Sequence, residues 1–411
     1  MLSHSPAMQT VATRLSAYYG ALFLIYGAHV PYFPLWLNGR NLTATEISII
    51  VAAPFFLRLA VTPLLAVFAD HRQNHRSMII LLSWLALGLV LGLSQMSGFW
   101  SVFAVAVSFA IAVTSIMPLT ETLAVSCVRA EGLDYGRVRL WGSLTFVLMG
   151  LAGGVLVERF GGAIGIWLLS FGAVLTVAAA HWLPSLNPVA APSQVARAPL
   201  SRLDVMGLVR SPQFLLFLLS VGCTQASHAT FYTFGALHWQ ALGISSVSIG
   251  IMWALAVMAE VALFAWSRAI TTRFGPIEML IAGAAAAVVR WAIMSFDPPL
   301  AVLMPLQVLH ALTYGATHLA AIHFIARAVP ETAAGTAQAL YASVAAGIIM
   351  GGSTLVSGPL FAAFGGGAYW LAAGLGAIGL GAAVMLAKQW DGGRIGARPP
   401  EIIPTTPVPG A

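Results

Sequence analysis

Stretches of about twenty apolar residues recur along this chain, and that recurrence constrains its fold more than any other feature. A helix needs roughly 20 apolar residues to cross a bilayer. Such runs lie at about 15–37, 46–69, 77–96, 99–126, 138–158 and 163–183, and again at about 212–237, 245–267, 277–296, 300–326, 336–360 and 367–388. The short connections between them carry turn residues, as in Asn38-Gly39, Ser97-Gly98 and Asp297-Pro298-Pro299. The pattern predicts an all-α protein with twelve spans.

Composition supports a lipid-facing surface. Only 8% of the 411 residues are charged and 59% are hydrophobic, against about 25% charged in a soluble chain. The net charge of +6 does not point to nucleic acid, because the basic residues are scattered through short loops and form no stripe. Cys127 and Cys223 are far apart and have no metal-ligand or disulfide spacing. The first apolar run has no small-residue cleavage site after it and reads as span 1 rather than a leader.

The one long break, 184–210, contains Pro184, Pro188, Pro192 and Pro199 with several Ser and Arg residues, a linker composition. The chain therefore divides into a six-span bundle over 1–183, a linker over 184–210, a second six-span bundle over 211–388, and a Gly/Pro-rich tail over 389–411 expected to be disordered. With the N-terminus inside, the basic residues near span ends, from Arg14 and Arg72 through Arg268 to Lys388, fall on the cytoplasmic side. Only Arg40 and Arg159 fall outside. This bias places both termini in the cytoplasm. Two six-helix halves joined by an inside linker is the layout of major facilitator transporters, in which two bundles rock around a midplane site.

Ionisable residues inside spans are costly and normally face a partner or a cavity. The set here is Arg58, Glu121, Glu260 and Arg290, with His29, His228, His310, His318 and His323. Glu46 and Glu278 begin spans, where a carboxylate suits the helix dipole. At 100° per residue, His310, Thr313, Tyr314, Thr317 and His318 share one face of span 10, lining either a cavity or a packed interface. Gln225, His228 and Tyr232 repeat the pattern in span 7, and Tyr18, His29 and Tyr32 do so in span 1. Glu260 and Arg290 lie at mid-depth in adjacent spans, as a mutual ion pair or a bridge to His310. After span 2, Asp70 and Arg72 open an acidic-then-basic run that in many major facilitators latches the cytoplasmic gate.

Three stretches carry a more specific likeness: PLTETLAVSCVRAEGLDYGRVRLWGS at 118–143, QASHATFY in span 7 and LQVLHALTYGATHLAAIHFIA in span 10. They resemble the phenylpropionate permease family of the major facilitators, related to the lactose–proton symporter, over about 15–388. The resemblance implies that Glu121 and Arg139, eighteen residues apart, match the pair that clasps substrate there. It also implies that Glu260, Arg290 and His310 match the coupling residues. Two positions depart: Thr313 stands where the symporter has its proton-carrying Glu, and Phe146 stands where it has a sugar-stacking Trp.

The expectation is a proton-coupled importer of a small organic acid, such as 3-phenylpropionate, working by alternating access in the bacterial inner membrane. It would act as a monomer with no metal and no cofactor beyond the proton gradient. Glu121, Arg139, Phe146, His228, Tyr232, Arg290 and Tyr314 would bind substrate, Glu260, Glu121 and His310 would exchange the proton, and Asp70 and Arg72 would gate. A sugar or nucleoside symporter on the same scaffold is the alternative, then a transport-dead sensor. No hydrolase or metal-site motif speaks for an enzyme.

Overall fold

The computed structural model describes residues 6–72, 74–184 and 202–395, with the side chains of 6–9, 66–72 and 202–205 left out of the description. These residues are almost wholly helical, and no strand occurs among them. The first half comprises α1 (Pro6–Asn38), α2 (Ala44–Arg72), α3 (His75–Leu93), α4 (Phe99–Glu131), α5 (Tyr135–Phe160) and α6 (Gly165–Trp182). A short helix, α7 (Arg202–Arg210), occupies the end of the expected linker; the rest of that linker and the tail beyond 395 lie outside the described residues.

The second half is more broken. Its crossings are α8 (Pro212–Ala226) with α9 (Ala229–Ala241), then α10 (Ser246–Ala265) followed by the short α11 (Ser267–Arg273), and α12 (Pro276–Met294). The next is α13 (Leu300–Val308) running through a π-helical turn, Ala311–Ala316, into α14 (Thr317–Ala328). Then α15 (Ala334–Ser343) runs through a second π turn, Val344–Ile349, into α16 (Met350–Phe364), and α17 (Tyr369–Gln389) closes the fold.

Among the described residues eleven helices are long and apolar enough to cross a membrane, and the last of these, Glu331–Gln389, is 59 residues. That is far more than the roughly 20 residues one crossing needs. It breaks at Gly365, where φ is +53°, a conformation that costs a residue with a Cβ. Counted as two, these segments complete twelve crossings in two six-helix bundles.

Local sequence explains the ends. Thr43 and Glu46 form a reciprocal capping box at α2: the Thr43 amide donates to the Glu46 carboxylate at 2.8 Å, and the Glu46 amide donates to the Thr43 hydroxyl at 3.2 Å. Asp134 caps α5, accepting from the Arg137 amide at 3.2 Å. The outward faces remain apolar, with Leu64, Trp100, Leu148 and Trp266 all well exposed, as lipid rather than water requires.

The halves meet along α5 with α10, α2 with α16, and α1 with α9. The joining segments come from the ends of these helices remote from the side where α1 begins and α17 ends, the terminal side; the remote side is the far side below. The approach at α5 and α10 is very close. A Cβ on Gly250 would sit 2.5 Å from the Gly150 carbonyl oxygen, and one on Gly154 would sit 2.6 Å from that of Ser246. Small residues permit such backbone contact in lipid, where water exclusion gives no help. Tyr32 is fully buried at the seam and its hydroxyl donates to the Gly150 carbonyl. Ser48 of α2 donates to the Leu355 carbonyl of α16 at 3.4 Å.

Candidate functional site

The polar residues near mid-depth gather into two clusters, one per bundle. In the second bundle Arg290 of α12 is the hub. Its side chain is fully buried. It donates to Gln307 Oε1 at 2.8 Å and to Thr313 Oγ1 at 3.3 Å, and its Nη1 lies 3.5 Å from His310 Nδ1. Its guanidinium also lies 4.4 Å from the centre of the Trp291 ring and 5.1 Å from that of Phe231. An unpaired buried ion costs several kcal/mol. The charge-assisted bonds offset about 1.5–3 kcal/mol each and each ring contact about 0.5–2 kcal/mol, so the cation is tolerated without an acid beside it.

Glu260 of α10 meets His310 instead: Nε2 lies 3.2 Å from Oε2. Arg290 can only donate, so His310 Nδ1 accepts and the ring proton sits on Nε2, donated to Glu260. The same logic orients His228. Its Nδ1 faces the Gln225 carbonyl at 3.0 Å, so that nitrogen donates; its Nε2 then accepts from Thr313 Oγ1 at 3.0 Å. Thr313 therefore relays hydrogen bonding from Arg290 to His228. Of the two readings left open for Glu260 and Arg290, the bridge through His310 is the one found.

The π turn divides the face expected of span 10. His310, Tyr314 and His318 stack in a column, with ring centres 5.4 and 6.3 Å apart. Thr313 turns to Arg290, and Thr317 packs where Gly283 of α12 leaves room. Tyr232 borders the column, 5.4 Å from His228 and 6.4 Å from His310. Below it His318 and Gln225 share the Tyr341 hydroxyl, at 3.0 and 2.7 Å.

In the first bundle Glu121 accepts from Tyr19 at 3.0 Å and from Tyr135 at 2.5 Å. Arg139 lies over the Phe23 ring at 4.0 Å and the Tyr19 ring at 5.6 Å, and its buried Nη1 has no hydrogen-bond partner. Glu121 and Arg139 are thus linked through Tyr19 rather than paired directly. On α1 it is Tyr19, with Phe23 and Tyr26, that faces this cluster. Tyr18 is buried among the helices beside it, one residue and a quarter-turn away from the face that matters. Phe146 is half-buried with its backbone against Gly27, and its ring stacks on none of the other rings among the described residues. Asp70 and Arg72 lie at the end of α2, where side chains fall outside the described residues.

The clusters face each other. Arg139 lies within electrostatic reach of Glu260, and Arg58 within reach of Tyr314. Arg58 donates to the carbonyl of Ala346, in the π turn before α16. Tyr19, Tyr135, Gln307 and Ala346 are the partners that sequence reasoning misses. Gln307 alone carried a signal, one turn before His310.

The twelve-crossing fold agrees with the comparison by family. The family model described as the MFS_1 like family matches residues 12–372. The chain belongs to that family of major facilitators. As a major facilitator it is a secondary transporter and not an enzyme, and a multi-pass membrane protein. It is 32% identical over 361 residues to the probable 3-phenylpropionic acid transporter of Escherichia coli K12, covering 86% of this chain and 92% of that one. It is 29% identical over 371 residues to the maltose permease of Geobacillus stearothermophilus, covering 87% and 90%. Among solved structures it resembles the nucleoside transporter NupG, with a TM-score of 0.76 at 15% identity over 93% of this chain and 99% of that one. The D-xylose–proton symporter gives 0.65 at 13% identity over 93% and 98%. These two likenesses speak for the fold alone.

Proposed function

We propose that this major facilitator imports a small aryl carboxylate, 3-phenylpropionate or a close analogue, together with protons. The observation that carries the reading is that, among the described residues, neither Arg139 nor Arg290 is paired with an acid, although both are largely withdrawn from water. A neutral sugar leaves such cations uncompensated, whereas a carboxylate supplies the missing charge and accepts from the planar guanidinium fork. Phe146, Tyr232 and Tyr314 offer the aromatic surface for the ring. The relative from Escherichia coli, by its printed name, supports the same substrate class.

Glu260 exchanges the proton, with His310 holding its carboxylate, and Glu121 is the second acidic group on the path. Thr313, which cannot carry a proton as a carboxylate does, passes that duty to the Glu260–His310 pair. The protein works as a monomer in the bacterial inner membrane with both termini in the cytoplasm, as the positive-inside bias supports. The far side is then periplasmic, and the close contact of α5 with α10 makes this the inward-facing arrangement. Rocking of the two bundles, 1–183 and 211–388, completes the cycle, with Asp70 and Arg72 closing the cytoplasmic mouth.

A sugar is the second reading. It is favoured by Glu121, held by two hydroxyls as a carboxylate is held by a polyol, and by the maltose permease relative. Uptake into liposomes under an imposed pH gradient decides: labelled 3-phenylpropionate accumulates and maltose does not. Accumulation of maltose without that of the acid would sink the first reading.

A further inference from the structure

A cavity of about 200 Å³ lies between α1, α2 and α4, with Tyr232 of α9 as its wall from the other bundle. It lies on the far side of both clusters and borders each through one ring, Tyr26 in the first and Tyr232 in the second. Its lining includes the rings of Tyr26, His29, Phe33 and Phe55, and the side chain of Arg58. An apolar cavity of about 150 Å³ accepts a benzene ring, so this one has room for a phenyl group and a short chain.

Arg58 is the one arginine or lysine in that lining among the described residues. Its guanidinium sits 4.8 Å from the centre of the Phe55 ring and donates to the Ala346 carbonyl. No carboxylate is within ion-pair reach of it among the described residues. A guanidinium has five N–H donors, so one carbonyl leaves most of them available. That carbonyl lies in the π turn Val344–Ile349, where bonding runs i→i+5 instead of i→i+4. Among the described residues Arg58 therefore makes its one hydrogen bond to the opposite bundle, at the edge of an aromatic cavity sized for a ring.

We propose that this cavity is a binding station for an aryl carboxylate, with the ring among Phe33, Phe55 and Tyr232 and the carboxylate on Arg58. The inference rests on the aryl-carboxylate reading above and adds to it a station on the far side of the Arg139 and Arg290 clusters. The substrate carboxylate and the Ala346 carbonyl then compete for one guanidinium. Substrate on Arg58 keeps α2 untied from the π turn before α16; its departure toward the terminal side frees Arg58 to tie the bundles shut behind it.

The test is equilibrium binding of labelled 3-phenylpropionate to the purified full-length protein, with the neutral 3-phenylpropanamide as competitor. Arg58→Gln is expected to weaken the acid at this station by roughly tenfold or more, the value of one lost charge-assisted contact, and to reduce the overall preference of acid over amide to that supplied by Arg139 and Arg290. Arg58→Lys restores part of that preference. Ala110→Phe fills the cavity, leaves Arg58 in place, and weakens acid and amide alike; it carries the test should Arg58→Gln not fold. Unchanged acid preference in Arg58→Gln, or unchanged affinity in Ala110→Phe, overturns the station while leaving the aryl-carboxylate reading intact. A wild-type protein that binds maltose and not the acid overturns both.

Discussion

His310 donates from Nε2 to Glu260 across 3.2 Å, and Nδ1 of the same ring turns toward Arg290. One imidazole thus separates a carboxylate from a cation that would otherwise neutralise it. If Glu260 were locked to Arg290, proton loading would have to break a buried ion pair, at a cost of about 3–5 kcal/mol. With His310 between them, the carboxylate keeps only a weaker partner and can change its protonation state. Replacing Glu260 by Gln is expected to abolish gradient-driven accumulation in liposomes while retaining exchange of labelled for unlabelled substrate. Exchange lost together with accumulation would mean that Glu260 serves binding rather than coupling.

Arg290 depends on Gln307 for its shortest hydrogen bond. Gln307→Leu leaves a fully buried cation short of an acceptor, and thermal unfolding in detergent should show a loss of about 1–3 kcal/mol. Arg290→Lys cannot span Gln307 and Thr313 together, so substrate binding should fall at least tenfold. A lysine variant with native affinity would remove Arg290 from the substrate path.

Tyr19 serves Glu121 with its hydroxyl and Arg139 with its ring. The two contributions separate by mutation. Tyr19→Phe forfeits the hydrogen bond alone and is expected to cost about 0.5–1.5 kcal/mol of stability. Tyr19→Leu also forfeits the cation–π contact, worth a further ~0.5–1 kcal/mol. Equal melting temperatures for the two variants would show that the ring contributes nothing.

Gly250→Val places a side chain where a Cβ already falls 2.5 Å from the Gly150 carbonyl. The variant should hold the far side open. A cysteine introduced at Val51, which lines the aromatic cavity, would then react with an impermeant thiol reagent added from that side several times faster than in the parent. Cys127 and Cys223 are both buried, which keeps the background low. An unchanged rate would mean that α5 and α10 accommodate the valine without parting.

The crossings are legible in the sequence because lipid leaves a helix no alternative: each span must be apolar and long. Glu260, Arg290 and His310 are legible as a set for the same reason, since few ionisable residues occur inside spans. Rotation of a span about its own axis is a different matter. Tyr18 and Tyr19 are neighbours roughly 100° apart on a helix, and only the position of α4 selects Tyr19 as the partner of Glu121. The π turns at Ala311–Ala316 and Val344–Ile349 carry no residue signature, so the single stripe expected on span 10 becomes a ring column and a threonine edge. The partner of Arg58 is a backbone carbonyl, which no pairing of side-chain types can reveal.

The α5–α10 seam has one more property. Much of it is glycine backbone against backbone, so closing it immobilises few rotamer-rich side chains, each of which would lose up to about 2 kcal/mol of entropy. In lipid it also gains little from water exclusion. A seam with small terms on both sides has no deep resting state. The direction of net flux then falls to whatever occupies the polar clusters, and the seam itself acts as a hinge without a spring.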